Sequence, residues 1–142
     1  MSKRYKNSFM QQVESFIDSF NGEVILRADL NALGEYRQVS RAIKALIEDG
    51  KLIKLGYGIY AKASTNEYIK KPVIKIGFDD ACLQALNRLG LKWELGSSIQ
   101  AYNRGESTQV PAKLIIRLKD RYRGEIGYGN RRLIFEDKIN AR

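Results

Sequence analysis

Residues 36–63, "YRQVSRAIKALIEDGKLIKLGYGIYAKA", carry two periodicities in succession. At about 100° per residue, Val39, Ala42, Ile43, Leu46 and Ile47 fall on one face of a helix. Arg37, Arg41 and Lys44 fall opposite, with Ser40 at the edge and Glu48 near the C-terminal end. The spacing predicts a helix over 35–49, stopped by Gly50. From Lys51 the period changes to two: Leu52 and Lys54 point one way, Ile53 and Leu55 the other. Gly56-Tyr57-Gly58 then reverses the chain, and Ile59-Tyr60-Ala61 returns. Glycines there permit the positive φ angles of a tight hairpin.

Working upstream, Phe9, Val13, Phe16, Ile17 and Phe20 recur at helical spacing, predicting an amphipathic helix over 5–19 that ends near Asn21-Gly22. A short strand at Val24–Leu26 and a brief helix over 28–33, stopped by Gly34, fill the interval. Helix, short strand, helix, helix, hairpin is the order of a winged helix-turn-helix, assigned here to residues 1–64. Downstream, the small polar run "ASTNEYIKK" reads as a linker closed by Pro72. Residues 65–142 then read as a second, mixed unit. "PVIKIGF" is a strand and "DDACLQALNRLG" a helix, with Asp79 or Asp80 near its N-terminus. "LKWEL" is a strand. "GSSIQAYNRG" is one or two helical turns capped by Ser97 or Ser98. "AKLIIRLK" and the hairpin "RGEIGYGNRRLIFE" supply three strands, with the last turn at Gly129-Asn130. The fold class expected is α+β.

The chain has 142 residues, 44% of them hydrophobic, enough for one or two small cores. It holds 25 Lys plus Arg against 16 Asp plus Glu, a formal charge of +9. That balance points to an anionic partner. The short apolar runs predict no membrane span, and the basic start lacks the apolar run of a signal peptide, so a cytoplasmic chain is expected. One cysteine and no histidine exclude an intrachain disulfide, a Cys/His zinc site and His-based nucleophilic catalysis. Cys82 sits at an apolar helical position and reads as core. Asp79 and Asp80 diverge by about 100° on one helix, so they cannot easily share an ion. Neither GYG turn is a phosphate loop. No catalytic group, metal or cofactor is expected, and the chain is read as a non-enzyme.

The candidate site is the polar face of the third helix. Arg37, Gln38, Ser40, Arg41 and Lys44 are of the types that read base edges and phosphates in a major groove. Lys51, Lys54 and Lys62 of the hairpin are expected at backbone phosphates, with Tyr57 at the tip approaching a sugar or the minor groove. A solvated charged face, with Tyr57 packed on its own turn, is the plainer alternative. Tyr60 is expected in the core. A second basic surface is expected at Arg121, Arg123, Arg131 and Arg132, where residues 67–142 hold 15 Lys/Arg against 9 Asp/Glu. It would extend a phosphate footprint, dock an acidic partner, or simply guard an edge hairpin.

The stretch "RADLNALGEYRQVSRAIKALIEDGKLIKLGYGIYAKA" resembles the winged-helix half of AbiEi-type antitoxins. Arg27, Asp29, Leu30, Gly34, Val39, Ala42, Leu46, Gly50, Gly58, Ile59 and Tyr60 carry the match. The run Ser107, Thr108, Gln109, Val110, Pro111 and Ala112 is its sharpest part. The resemblance covers residues 22–136 and departs at Tyr102–Glu106, which is more polar here. It implies a type IV toxin–antitoxin pair. The winged helix would repress its own operon by binding operator repeats in double-stranded DNA, and the C-terminal domain would counter a nucleotidyltransferase-like toxin. From the residues alone, Ser107, Thr108 and Gln109 form either an exposed partner-binding loop or a turn feeding a strand. Two function classes follow: a DNA-binding antitoxin, or a winged helix that acts as a protein-interaction module or solo transcriptional regulator.

Overall fold

The computed structural model describes residues 8–108 and 113–136 and is mixed α+β. It opens with α1 (Ser8–Ser19), β1 (Val24–Leu26), α2 (Arg27–Leu30) with a 3-10 turn at Asn31–Leu33, and α3 (Tyr36–Glu48). Next come β2 (Leu52–Gly56), β3 (Ile59–Asn66) and β4 (Lys71–Ile74), and then α4 (Phe78–Arg88), β5 (Trp93–Leu95) and α5 (Ser97–Asn103). Short strands β6 (Ile115–Leu118), β7 (Gly127–Tyr128), β8 (Arg131–Arg132) and β9 (Ile134–Phe135) close the described chain. Helix α3 forms where the 3.6-residue stripe predicts it, burying Val39, Ala42, Ile43, Ala45 and Leu46. Its end is fixed by two backbone bonds: Lys51 N–H donates to Leu46 O (2.9 Å) and Gly50 N–H to Ile47 O (3.0 Å). That pair satisfies carbonyls the helix leaves open and aims the chain into β2.

Strand β3 lies at the centre of the molecule. It pairs antiparallel with β1 on one side and β2 on the other, and its distal half pairs with β4. Side chains alternate across this sheet, so each face needs its own cover. Ile25, Leu52 and Tyr60 point to the helical face and share a core with Met10, Val13, Ile17, Leu30 and the apolar stripe of α3. Val24, Ile53, Leu55, Ile59, Ala61 and Ala63 point the other way. They share a second core with Phe78, Ala81, Cys82, Ala85 and Leu86 of α4 and with Ile116, Ile126, Leu133 and Phe135. Each fully buried Val, Leu or Ile contributes about 1.5–3 kcal/mol, so both layers are substantial. A second sheet has the order β5-β6-β9, and β7 pairs with β8.

Two local expectations change. The run "ASTNEYIKK" is a hairpin rather than a linker: Ala63↔Ile74 through Asn66↔Lys71 pair in register. Asn66 Oδ1 accepts from Tyr68 N (2.8 Å) and Ile69 N (3.1 Å), so the side chain of Asn66 closes the turn. Polar composition disguised it because these residues lie towards the exposed end of the sheet. At α5 the anticipated serine cap is replaced from a distance. The Glu136 carboxylate accepts from Ser97 N (2.8 Å) and Ser97 Oγ (2.6 Å), which holds its own pKa below the usual carboxylate range.

Candidate functional site

The α3 stripe that packs inward leaves Arg37, Arg41 and Lys44 outward, all exposed. Among the described residues none of the three has an ion-pair or hydrogen-bond partner. Beside them, α3 and the β2–β3 hairpin enclose an open groove lined by Arg27, Ser40, Ile43, Lys44, Lys54 and Tyr60, with Ile47 and Glu48 at its end. Lys54 reaches this groove because it shares strand parity with Leu52, and its cross-strand partner is Tyr60.

Arg27 is the residue that sequence reasoning missed as a site residue. Its Nη1 donates to Ser40 Oγ (3.1 Å), its Nη2 to Tyr36 O (2.9 Å) and its Nε to Asn31 Oδ1 (3.4 Å). Its guanidinium lies 4.1 Å from the centroid of the Tyr36 ring, a cation–π contact. Its backbone N–H donates to Gly58 O (2.8 Å), joining it to the hairpin turn. One arginine thus ties the start of α2, the first turn of α3 and the hairpin tip together. Its traces in sequence are its position at the junction of the short strand and the helix after it, and its place in the resembling stretch. Burial pushes the Tyr60 hydroxyl pKa up while Arg27 opposes it, so Tyr60 is a neutral hydrogen-bonding group in the groove at ordinary pH.

The remaining expected residues divide. Tyr57 stands at the tip, 92% exposed, with Tyr36 at 70%, so Tyr57 is not folded onto its own turn. Lys62 does not belong to a phosphate-facing set: it is buried, and its Nζ donates to Phe20 O (2.8 Å), serving the end of α1. Lys51 lies at the opposite end of β2 from the tip and pairs with Glu14 of α1. Both corrections share a cause, since this end of the sheet lies against α1, where Glu14 and, just past the helix end, Phe20 take up the two ammonium groups. Gln38 is committed to helix initiation, its Oε1 accepting from Glu35 N (3.2 Å), as in a capping box. Ser40 is held by Arg27.

In the second half, Arg131 pairs with Asp79 (3.4 Å) and covers the Phe78 ring at 4.5 Å. Arg132 donates to Gly129 O (2.9 Å) and Arg131 O (2.8 Å) and approaches Glu125 at 4.0 Å. Arg121 and Arg123 are exposed and have no such partner among the described residues. Ser107 is half-buried and Thr108 exposed; Gln109, with Val110 to Ala112, lies outside the described residues.

Among the described residues no group of three or more His, Cys, Asp or Glu could hold a metal ion. Cys82 is buried, and burial with the nearby Asp79 charge pushes its pKa up to about 12. A thiol that stays protonated is a poor nucleophile. No helix among the described residues is long and apolar enough to cross a membrane. The α3 face and groove present positive charge, the Ser40 and Tyr60 hydroxyls and exposed aromatic rings. Residues 11–140 match the model of a family of unknown function, DUF6088. A search of curated proteins finds no match.

Proposed function

The chain belongs to the DUF6088 family, and from the surface it presents we propose that it is a double-stranded-DNA-binding regulator. In this reading residues 8–66 act as a winged helix-turn-helix: α3 enters the major groove and the β2–β3 hairpin is the wing. Arg37 and Arg41 contact base edges or phosphates, Lys44 and Lys54 hold the backbone across the groove, and Tyr57 meets a sugar or the minor groove. Arg27 orients Ser40 and the first turn of α3 rather than reading sequence. The observation that carries the proposal is the unneutralised row Arg37, Arg41 and Lys44 on a rigidly packed helix beside a cation-lined groove.

The resemblance to AbiEi-type antitoxins supports a finer proposal. The DNA is the chain's own operator, bound as an autorepressor in the cytoplasm, and the second half acts against a nucleotidyltransferase-like toxin. A test is competition between a duplex from upstream of its own gene and an unrelated duplex. Preference for the first, lost in Arg37→Ala/Arg41→Ala while the melting temperature holds, is the expected result. Equal, weak binding of every duplex in low salt would end the proposal. The exposed Tyr36 and Tyr57 support a second reading, a protein-interaction module. That reading requires partner binding that survives Arg37→Ala/Arg41→Ala and fails in Tyr57→Ala.

A further inference from the structure

The four arginines of the C-terminal hairpin region look equivalent in sequence. The structure separates them. Arg131 and Arg132 are neutralised or folded back by Asp79, Glu125 and the Gly129 and Arg131 carbonyls. Arg121 and Arg123 lie on an extended segment, residues 120–126, in which exposure alternates. Arg121, Arg123 and Glu125 face out, Tyr122 is half-buried and Ile126 is fully buried. Tyr122 is fixed edge-on to Phe135 with ring centroids 6.5 Å apart, and Asp120 Oδ2 accepts from Lys92 N (2.7 Å). The segment is therefore held at its start, middle and end, with both arginines on its exposed side.

The far end of this segment abuts the β2–β3 hairpin. A Cβ on Gly56 would lie 2.6 Å from the Glu125 carbonyl oxygen, so the two backbones meet where only glycine fits. Strand β7 continues alongside β2, whose outer edge would otherwise be open. Arg123 is two residues from Glu125, so its Cα lies within about 7 Å of the Glu125 Cα. This puts the base of the segment beside the Gly56-Tyr57-Gly58 turn.

Resting on the DNA-binding reading, we propose that residues 120–125 form a second wall of the interface, with Arg121 and Arg123 neutralising backbone phosphates beside those met by the wing. The ligand is the phosphodiester backbone of the same duplex, contacted without regard to sequence. Arg131 and Arg132 stand outside it, engaged by their own neighbours.

The test measures duplex affinity against salt concentration for the full chain. Each phosphate that a variant no longer neutralises makes the slope of log K against log salt shallower by about 0.9. Arg121→Ala/Arg123→Ala is expected to reduce the slope by about 2 and to weaken all duplexes equally. Arg131→Ala/Arg132→Ala is expected to leave the slope unchanged. Exposed arginines without partners can be replaced without disturbing the core, and an unchanged melting temperature checks this. A wild-type slope retained in the first variant overturns the second wall while leaving the α3 reading intact. Absence of duplex binding by the wild-type chain overturns both.

Discussion

The tripeptide Gly-Tyr-Gly occurs twice, at residues 56–58 and 127–129, and the two turns are treated differently by their surroundings. In both, the third residue has positive φ, +70° at Gly58 and +62° at Gly129. In both, the first glycine leaves no room for a Cβ: Glu125 O would be 2.6 Å away at Gly56 and Arg131 O 2.5 Å away at Gly127. The reversals are offset by one residue, Tyr57-Gly58 in the first and Gly129-Asn130 in the second, and the flanks differ too. The first turn joins strands of 5 and 8 residues at the centre of the molecule and holds Tyr57 92% exposed. The second joins two-residue strands, keeps Tyr128 only 40% exposed, and has its arginines drawn back onto carbonyls and carboxylates. A charged turn presents its charge only where no local partner takes it up.

The largest effect would break the claim that the two turns are mounted on one shared core. Ile59→Ala beside the first turn and Leu133→Ala beside the second should each cost about 2–5 kcal/mol. Both should melt the whole chain in one transition by calorimetry. Two separable transitions in either variant would contradict the shared core. Next is the contrast in presented charge. Arg41→Ala should cost about 1–3 kcal/mol of duplex affinity if it reads a base, and Arg132→Ala almost nothing; equal losses would erase the distinction. A loss from Arg41→Ala that is uniform across duplexes would assign it to a phosphate. Smaller still, Gly58→Ala and Gly129→Ala should each cost about 1–2 kcal/mol of stability from left-handed backbone. Only Gly58→Ala should also weaken DNA binding, in an anisotropy titration.

A last effect lies beneath the second turn, where Asp79 and Arg131 both bear on Cys82. The native thiol is pushed up to about 12 from 9, so it stays protonated while the unfolded thiol ionises. Its contribution is complete below pH 9 and is lost as pH rises towards 12. The loss is at most about 1.4 kcal/mol per pH unit. Between pH 9 and 10 the urea midpoint of wild type should fall further than that of Cys82→Ala; parallel curves would remove the effect.

The helices and the first hairpin were legible because α3 and β2 each carry an unbroken periodicity, from Val39 to Leu46 and from Leu52 to Leu55. The β3–β4 hairpin was not. Its residues Ser64, Thr65 and Glu67 face solvent, so polarity there reports exposure and is indistinguishable from that of a linker. At the candidate site, Arg37, Arg41 and Lys44 could be found from the wheel because exposure on a helix follows from the apolar stripe. Lys51 and Lys62 could not be excluded that way. Their fates depend on Glu14 and Phe20, contacts across the sheet that no local pattern encodes. Arg27 was hidden for the same reason, since its partners Ser40 and Tyr36 come from α3 and Gly58 from the hairpin turn.

In the DNA-binding proposal the outer face of α3 meets the duplex. Its most direct test is the salt dependence of binding to a duplex from upstream of the chain's own gene, measured for wild type and for Arg37→Ala/Arg41→Ala/Lys44→Ala. If the three cations meet phosphates, log K falls linearly with log salt in wild type, and the slope is shallower by about 2.7 in the variant. A variant that keeps the wild-type slope and affinity would contradict the account.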